Sequence, residues 1–447
     1  MSSITALYAK FQAAEGLVST DSRQPQPGTL FFALNGPSFR GADFAPQAIA
    51  SGASHAVTDN PAQAQADPAR YTYAPDPLVA LQNLAREHRR QYRGPVLAIT
   101  GSNGKTTTKE LLTAVLARKY RVLATTGNLN NHIGVPLTLL RLKLAEHEIA
   151  VVEMGANHQG EIAGYCQYAE PTHGLITNIG KAHLEGFGGP EGVARGKGEL
   201  FRYLTGHGGT LFVNTLDARL PAVAAQAGAE NPSGAPGAAL VTYPGPHDTY
   251  AATLLAAAPA VALRLWDGTD VAAQLTGDYN FPNLAAAAAV GAFFGVSTSD
   301  IAAALASYNP QNNRSQVLRT AHGNELLLDA YNANPSSMAA ALRSFAQRPA
   351  SASGQSKLVV LGDMFELGSE SAAEHRALGQ LLAQLALPEM LLIGPEMTAA
   401  AAASPIAQHF TTKAEAADWL RQKPVRDRQV LLKGSRGMGL ETLAELL

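Results

Sequence analysis

The 447-residue chain contains a single cysteine, Cys166. One thiol excludes an intrachain disulfide and any zinc site built from cysteines. A catalytic metal held by oxygen and imidazole stays open. Charge of one sign is also missing. With 34 Lys plus Arg against 36 Asp plus Glu, the formal charge is −2, which gives no global field for nucleic acid or an anionic membrane. Long apolar runs are absent too. The most apolar stretch, Leu284 to Val296, is mostly alanine and shorter than the roughly 20 residues that span a bilayer. Met1 to Lys10 carries no basic stretch followed by a long apolar core, so no signal peptide is expected. These absences point to a soluble protein of a reducing compartment.

What is present is a globular composition, 46% hydrophobic and 16% charged, in a chain long enough for two to four domains. Leu30 to Leu34 is a short apolar run bounded by Gly28 and Asn35-Gly36, which reads as a buried strand. Val96 to Thr100 is a second. Leu111, Leu112, Val115 and Leu116 recur at helical spacing, predicting a helix from Thr106 to about Tyr120. Further strands are expected at Ile149–Glu153, Leu175–Asn178 and Leu211–Asn214, and this alternation predicts a mainly parallel sheet covered by helices. Residues 222 to 270, rich in Ala, Pro and Gly, read as peripheral elaboration. Pro310 to Arg314 reads as a linker. Beyond it the alternation restarts with strands at Leu326–Asp329, Leu358–Leu361, Leu391–Ile393 and Val430–Lys433. The fold expected is α/β in three domains, 1–92, 93–310 and 311–447.

The strongest local signal is Thr100-Gly101-Ser102-Asn103-Gly104-Lys105-Thr106-Thr107. It lies between one apolar strand and one amphipathic helix, the setting a phosphate-binding loop requires. Glycines let the backbone curl so that successive N–H groups face phosphate oxygens, and the helix N-terminus adds partial positive charge. Lys105 would reach the β- and γ-phosphates, and the Thr106 hydroxyl would meet Mg²⁺. The loop is a shortened variant, because Ile99 stands where the full pattern has its first glycine. Such a loop leaves the use of the γ-phosphate open between a kinase, a nucleotide-driven switch or motor, a carboxylate-activating ligase and a plain nucleotide-binding module.

Glu153 ends an apolar strand, where α/β sheets place ligand chemistry, and can hold Mg²⁺ directly or through water. His183, in Thr177 to Glu185, can ligate a second divalent ion that would help neutralise a triphosphate. Lys197 reads from its surroundings as an ordinary basic residue near a helix start.

Taken in order, these segments resemble the Mur ligases of peptidoglycan synthesis over essentially the whole chain. Asp21-Ser22-Arg23 and Leu30 to Gly36 look like that family's UDP-sugar-binding domain, and Gly101 to Thr107 like its ATP loop. Gly127 to Pro136 looks like its segment near substrate and phosphates. Glu153 and Thr177 to Glu185 match its metal motifs, and Gly277 to Asn283 its adenine-contacting motif. Asp329 to Met338 and Lys433 to Arg436 are similar to marks of the member that adds D-alanyl-D-alanine, and argue against members that add another amino acid or extend folates. Two positions depart: Tyr279 stands where the family often has His, and Asn313 where it usually has Gly.

The resemblance implies an N-terminal α/β UDP-substrate domain, a central phosphate-loop ATPase domain and a Rossmann-like C-terminal domain that binds D-alanyl-D-alanine and closes over ATP. It implies an ATP- and Mg²⁺-dependent ligase joining D-alanyl-D-alanine to UDP-N-acetylmuramoyl-tripeptide through an acyl phosphate. The chain is then expected to act in the cytoplasm as a monomer, with no nucleic-acid partner and no membrane insertion. Gly101, Ser102, Asn103, Gly104, Lys105, Thr106, Thr107, Asn280, Asn283, Arg314 and Asp329 would bind nucleotide. Thr106, Glu153, His183 and a carbamylated Lys197 would hold or orient metal. Lys105, Glu153, His183 and Lys197 would carry the chemistry. Ser22, Arg23, Asn130 and Asn131 are expected on the UDP-sugar substrate, and Asn332, Asn334, Ser435 and Arg436 on the incoming dipeptide.

Overall fold

The structure is a computed structural model that describes residues 4–24, 27–229, 238–310, 313–349 and 356–447. Continuous apolar runs become strands buried on both faces. Val96–Thr100 and Ile149–Glu153 are buried at every position, the pattern of a parallel sheet covered by helices. They lie at the heart of a six-stranded parallel sheet. Its order is Ala239–Tyr243, Thr210–Asn214, His173–Ile176, Val96–Thr100, Ile149–Glu153, Val122–Ala124. The chain leaves Val96–Thr100 toward one edge and later returns to build the other. The carboxyl end of that strand is therefore a topological switch point, the place where such sheets bind ligands.

Two further sheets flank this one in sequence. Val18–Ser19, Leu30–Phe32, His55–Thr58 and Tyr71–Tyr73 form a four-stranded parallel sheet in that order. The C-terminal sheet has six strands in the order Gln316–Arg319, Glu325–Asp329, Gln429–Lys433, Lys357–Gly362, Glu389–Ile393, Gln408–Phe410, with only the first pair antiparallel. The helix expected from Thr106 runs over Lys105–Leu116 and gives way to turns before Tyr120.

Of residues 222 to 270, 230–237 lie outside the described residues, and the rest are less peripheral than their composition suggests. Ala239–Tyr243 completes the central sheet, and Thr253–Ala256, Ala262–Arg264 and Asp270–Ala272 form a small antiparallel sheet. Leu263 and Val271 of that sheet, with Val261 just before it, share one apolar core with Leu111, Leu112 and the alanines of the helix Phe281–Phe293. Alanine on that helix serves close packing: a Cβ on Gly291 would come within 2.4 Å of Val115. In the expected linker, Gln311 and Asn312 lie outside the described residues. No helix among the described residues is long and apolar enough to cross a membrane. Cys166 is buried and unpaired, and burial pushes its thiol pKa up.

Candidate active site

The phosphate loop follows Val96–Thr100 and is shaped by two glycines in the left-handed half of backbone space. Gly101 has φ +141°, and a Cβ there would lie 2.0 Å from Thr177 Oγ1; Gly104 has φ +79°, with Asn283 Oδ1 2.5 Å from such a Cβ. No other residue type fits both the torsion and the space. The N–H groups of Ser102 and Asn103 are bonded within the protein, to the carbonyl and Oδ1 of Asn178 at 3.0 Å each. The first-turn N–H groups of Lys105–Leu116 have no intrahelical acceptor and are the backbone donors left free at this end of the loop. Lys105 Nζ donates to the carbonyls of Gly101 (2.7 Å) and Ser102 (3.2 Å). Burial lowers its pKa to about 8; Glu153 opposes the shift and Arg314 adds to it.

Glu153 lies one strand over, 1% exposed. Its Oε1 accepts from Thr106 Oγ1 at 3.2 Å and from Asn130 Nδ2 at 2.7 Å, while Oε2 is buried with no hydrogen-bond partner. A buried carboxylate oxygen left unpaired is costly, and here it sits beside a hydroxyl. That donor set, carboxylate and hydroxyl oxygen only, fits a hard divalent cation. Asn131 turns its Oδ1 to the N–H groups of Ile133 and Gly134, starting the helix Gly134–Leu140.

The loop after His173–Ile176 carries His183, at φ +51°. It is braced on the phosphate loop through Gly180, whose N–H donates to Ser102 Oγ at 2.9 Å. His183 Nδ1 is in ion-pair contact with Glu366, and the neighbouring imidazole lowers the Glu366 pKa. Lys197 ends the helix Pro190–Lys197, two residues before the next helix starts at Glu199, and is 1% exposed, a burial its sequence surroundings did not show. Nζ donates to Ala156 O at 3.1 Å and lies 4.8 Å from the Phe187 ring centroid. Burial, then Lys105, drives its pKa well below that of a free lysine. Gly192 and Gly196 allow this packing, since a Cβ on either would overlap Phe187; the Gly-x-x-x-Gly spacing was the available signal. Among the described residues no three His, Cys, Asp or Glu side chains cluster as a ready metal site.

Against the phosphate loop itself, Asn283 Nδ2 donates to Asn280 Oδ1 at 3.0 Å, and Thr108 Oγ1 to Asn283 Oδ1 at 3.1 Å, tying this pair to the phosphate-loop helix. Tyr279 OH lies 3.1 Å from Ser315 Oγ. Asn313 takes φ +57°, so asparagine holds the left-handed turn that glycine would otherwise supply. Arg314 stacks 3.6 Å from the Tyr331 ring centroid, with Nε buried and unpartnered. Lys433, 2% exposed, pairs with Asp329 Oδ2 at 2.6 Å.

A cleft of about 670 Å³ brings most of these groups together, from the central and C-terminal sheets: Ser102 to Thr107, Asn130, Asn131, Glu153, His183, Asn280, Asn283, Arg314, Asp329, Asn332 and Asn334. Residues that sequence reasoning left unassigned also line it, Asn178, Asp217, Tyr331 and Lys433 among them. Gly101, Lys197, Ser22, Arg23, Ser435 and Arg436 are outside its lining. Arg23 forms an exposed bidentate pair with Asp21 (2.8 and 2.7 Å). Ser435 accepts the Phe365 N–H at 2.9 Å, and Arg436 lies 4.8 Å from the Tyr331 ring centroid.

Three family models match the chain: "Mur ligase family, catalytic domain" over residues 16–90, "Mur ligase middle domain" over 99–291 and "Mur ligase, glutamate ligase domain" over 313–436. The chain is 36% identical to a UDP-N-acetylmuramoyl-tripeptide--D-alanyl-D-alanine ligase of Escherichia coli K12, covering 96% of this chain and 93% of that protein. It is 32% identical to the Bacillus subtilis protein of the same name, with 96% and 92% covered. Among solved structures, MurF from Acinetobacter baumannii superposes with a TM-score of 0.84 at 34% identity, over 97% of this chain and 96% of that one. MurF ligase from Thermotoga maritima, solved with ADP, gives 0.82 at 26% identity over 96% of each chain.

Proposed function

The chain belongs to the Mur ligase family, and from that premise we infer that it is an ATP-dependent ligase joining D-alanyl-D-alanine to a UDP-N-acetylmuramoyl-tripeptide in peptidoglycan precursor synthesis. The observation that carries the reading is the cleft itself: a phosphate loop and a buried, half-unpaired Glu153 face a second α/β sheet across a space sized for a nucleotide. A kinase needs only the first half of that arrangement.

In the reaction we propose, the terminal carboxylate of the tripeptide attacks the γ-phosphorus of ATP, giving an acyl phosphate and ADP. The amine of D-alanyl-D-alanine then adds to the activated carbonyl, and phosphate leaves with the C–O electron pair. Catalysis of this kind is mostly positioning and charge neutralisation. Lys105 exchanges the loop carbonyls for phosphate oxygens, and the first-turn N–H groups of its helix receive the rest. Asn280 and Asn283, beside the phosphate loop, and Arg314 and Asp329, from the C-terminal side, hold the nucleotide. Thr106 and Glu153 would hold Mg²⁺, which supplies neutralisation of triphosphate charge. His183 and a carbamylated Lys197 would orient a second ion. The buried Lys197 amine supports this reading, because burial lowers its pKa and so favours the neutral form that combines with CO₂.

Residues 1–92 would hold the UDP end through Ser22 and Arg23, residues 93–310 the nucleotide, and residues 311–447 the dipeptide, near Asn332, Asn334, Ser435 and Arg436. The chain would act as a monomer in the cytoplasm. The test is phosphate release from ATP and Mg²⁺ with UDP-N-acetylmuramoyl-tripeptide, with and without D-alanyl-D-alanine, and the product mass. Release that depends on the dipeptide and yields a pentapeptide is expected. Release dependent on a different amino acid, or a phosphorylated product with no free phosphate, would overturn the reading.

A further inference from the structure

We propose that Tyr331 is a positioning residue shared by two subsites: its ring orients Arg314 for the nucleotide and Arg436 for the carboxylate of the incoming dipeptide. The inference rests on the ligase reading of the cleft. It begins with two cations on one ring. The Arg314 guanidinium carbon lies 3.6 Å from the Tyr331 ring centroid, and that of Arg436 lies 4.8 Å from the same centroid. Among the described residues neither guanidinium has a carboxylate or a hydrogen-bond partner, and Arg314 Nε is buried without one. An aromatic face attracts a cation at this range, and the flat guanidinium stacks on it. The ring is therefore what both side chains rest on.

The backbone brings the three side chains together from separate segments. Tyr331 follows the strand Glu325–Asp329, and Lys433 pins the chain on both sides of it. Lys433 Nζ donates to Asp329 Oδ2 at 2.6 Å and to the Asn332 carbonyl at 3.2 Å. Asp329 Oδ1 in turn accepts the Ser315 N–H at 3.1 Å, which holds the residue after Arg314 to the same strand end. Asn313 at φ +57° and Ser315 at φ +46° put Arg314 between two left-handed residues, neither of them glycine. Backbone in that region persists only where its surroundings impose it. Arg436 comes three residues after Lys433 and starts the short 3₁₀ turn Arg436–Met438. Its neighbour Ser435 accepts the Phe365 N–H at 2.9 Å, so that turn is anchored as well.

Two positive charges with no protein carboxylate on either leave a local potential that bound anions neutralise. Arg314 lines the cleft together with Lys105 and lowers the Lys105 pKa, which puts it on the triphosphate side. Arg436 is outside that lining while Tyr331 is part of it, so the ring connects Arg436 to the nucleotide. The anion left for Arg436 is the carboxylate of the dipeptide, the one charge that substrate carries besides its reacting amine. Because one ring supports both guanidiniums, its loss should loosen nucleotide and dipeptide together.

The test compares Tyr331→Leu with Tyr331→Phe in the full chain, alone and combined with Arg314→Ala or Arg436→Ala. Tyr331→Leu should weaken ADP binding and raise the KM for D-alanyl-D-alanine, each about 3–10-fold, with KM for the tripeptide substrate little changed. Tyr331→Phe keeps the ring and should keep both values near those of the wild type. In double-mutant cycles, Tyr331→Leu should add little to Arg314→Ala in ADP binding and little to Arg436→Ala in the dipeptide KM. Additive effects in either cycle, or equal behaviour of the leucine and phenylalanine variants, would overturn the assignment. The arginine Nε–H resonances give a readout independent of turnover. In the wild type those of Arg314 and Arg436 should lie upfield of exposed arginines through the ring current, and in Tyr331→Leu both should move downfield. Resonances without that upfield displacement in the wild type would also overturn it. A wild-type chain that turns over no amine would instead overturn the ligase reading, and the resonances would still decide what the ring holds.

Discussion

Asn334 Nδ2 donates to Asn103 Oδ1 at 2.7 Å, joining the phosphate loop to the first residue before a helix of the C-terminal sheet. Asn334 also caps that helix, Pro335–Gln347. Its Oδ1 accepts the Ser337 N–H at 2.9 Å, and Ser337 Oγ accepts the Asn334 N–H at 3.1 Å. One amide thus does two separable things, and the two nitrogen and oxygen ends can be tested apart.

Serine caps a helix about as well as asparagine but is too short to reach Asn103. Asn334→Ser should therefore keep its stability within about 0.5 kcal/mol, whereas Asn334→Ala should lose about 1 kcal/mol with the cap. Both should weaken nucleotide binding several-fold, because both lose the link across the cleft. Urea unfolding paired with ADP titration separates the effects. Equal stability of the serine and alanine variants would contradict the capping argument.

Glu153 is stable in its place only if something meets Oε2. In buffer with EDTA, Glu153→Gln removes a buried, incompletely paired charge and should melt at or above the wild-type temperature. With ADP present, adding Mg²⁺ should raise the wild-type melting temperature and leave that of the variant nearly flat. Ligase turnover should fall by about 10²-fold or more, the scale seen when a group that stabilises transferring charge is removed. A variant that still gained stability from Mg²⁺ would place the ion elsewhere.

Much of this arrangement is legible in the sequence. Val96–Thr100 and Ile149–Glu153 read correctly to the residue because strands buried on both faces must be unbroken apolar runs. The glycines of 101 and 104, followed by Lys105 and Thr106, exposed the nucleotide wall for a similar local reason. Edge strands such as Val122–Ala124 and Gln408–Phe410 escaped, being three residues long and only partly buried. So did Ala239–Tyr243, whose first two residues are exposed. The burial of Lys197 and the meeting of His183 with Glu366 depend on how separate segments pack. No local pattern encodes that directly, although the glycines at 192 and 196 hinted at the first.

Lys197 offers a prediction with a chemical readout. Burial and the nearby Lys105 lower the Lys197 pKa and so favour the neutral amine, the form that adds CO₂; the resulting carbamate would replace a disfavoured cation with an anion. Incubation with ¹³C-bicarbonate should give one carbamate carbon resonance per chain, absent in Lys197→Met. Exhaustive removal of CO₂ should lower ligase turnover several-fold, reversibly. A resonance that persists in the variant would assign the carbamate to another amine.

Acid stability should carry the mark of two histidines far from the cleft. His55 is 5% exposed, with Nε2 2.7 Å from Thr72 Oγ1, and burial, with Lys10 nearby, lowers its pKa to about 4. His173 packs against Phe212, Phe293 and Phe294, and burial lowers its pKa to about 4 as well. An unfolded histidine titrates near 6.5. Between that value and about 4 the unfolded chain therefore binds protons that the fold does not, and linkage requires stability to fall as pH drops through the window. Above pH 6.5 the two residues contribute no slope. For His55 the loss at the acid end is on the order of 1–3 kcal/mol. The check is the urea midpoint at pH 7.5 and pH 5.0 in wild type and in His55→Gln/His173→Phe. The gap between the two pH values should narrow in the double variant, because the residues that resist protonation are gone. A gap of the same size would assign the acid sensitivity to carboxylates instead.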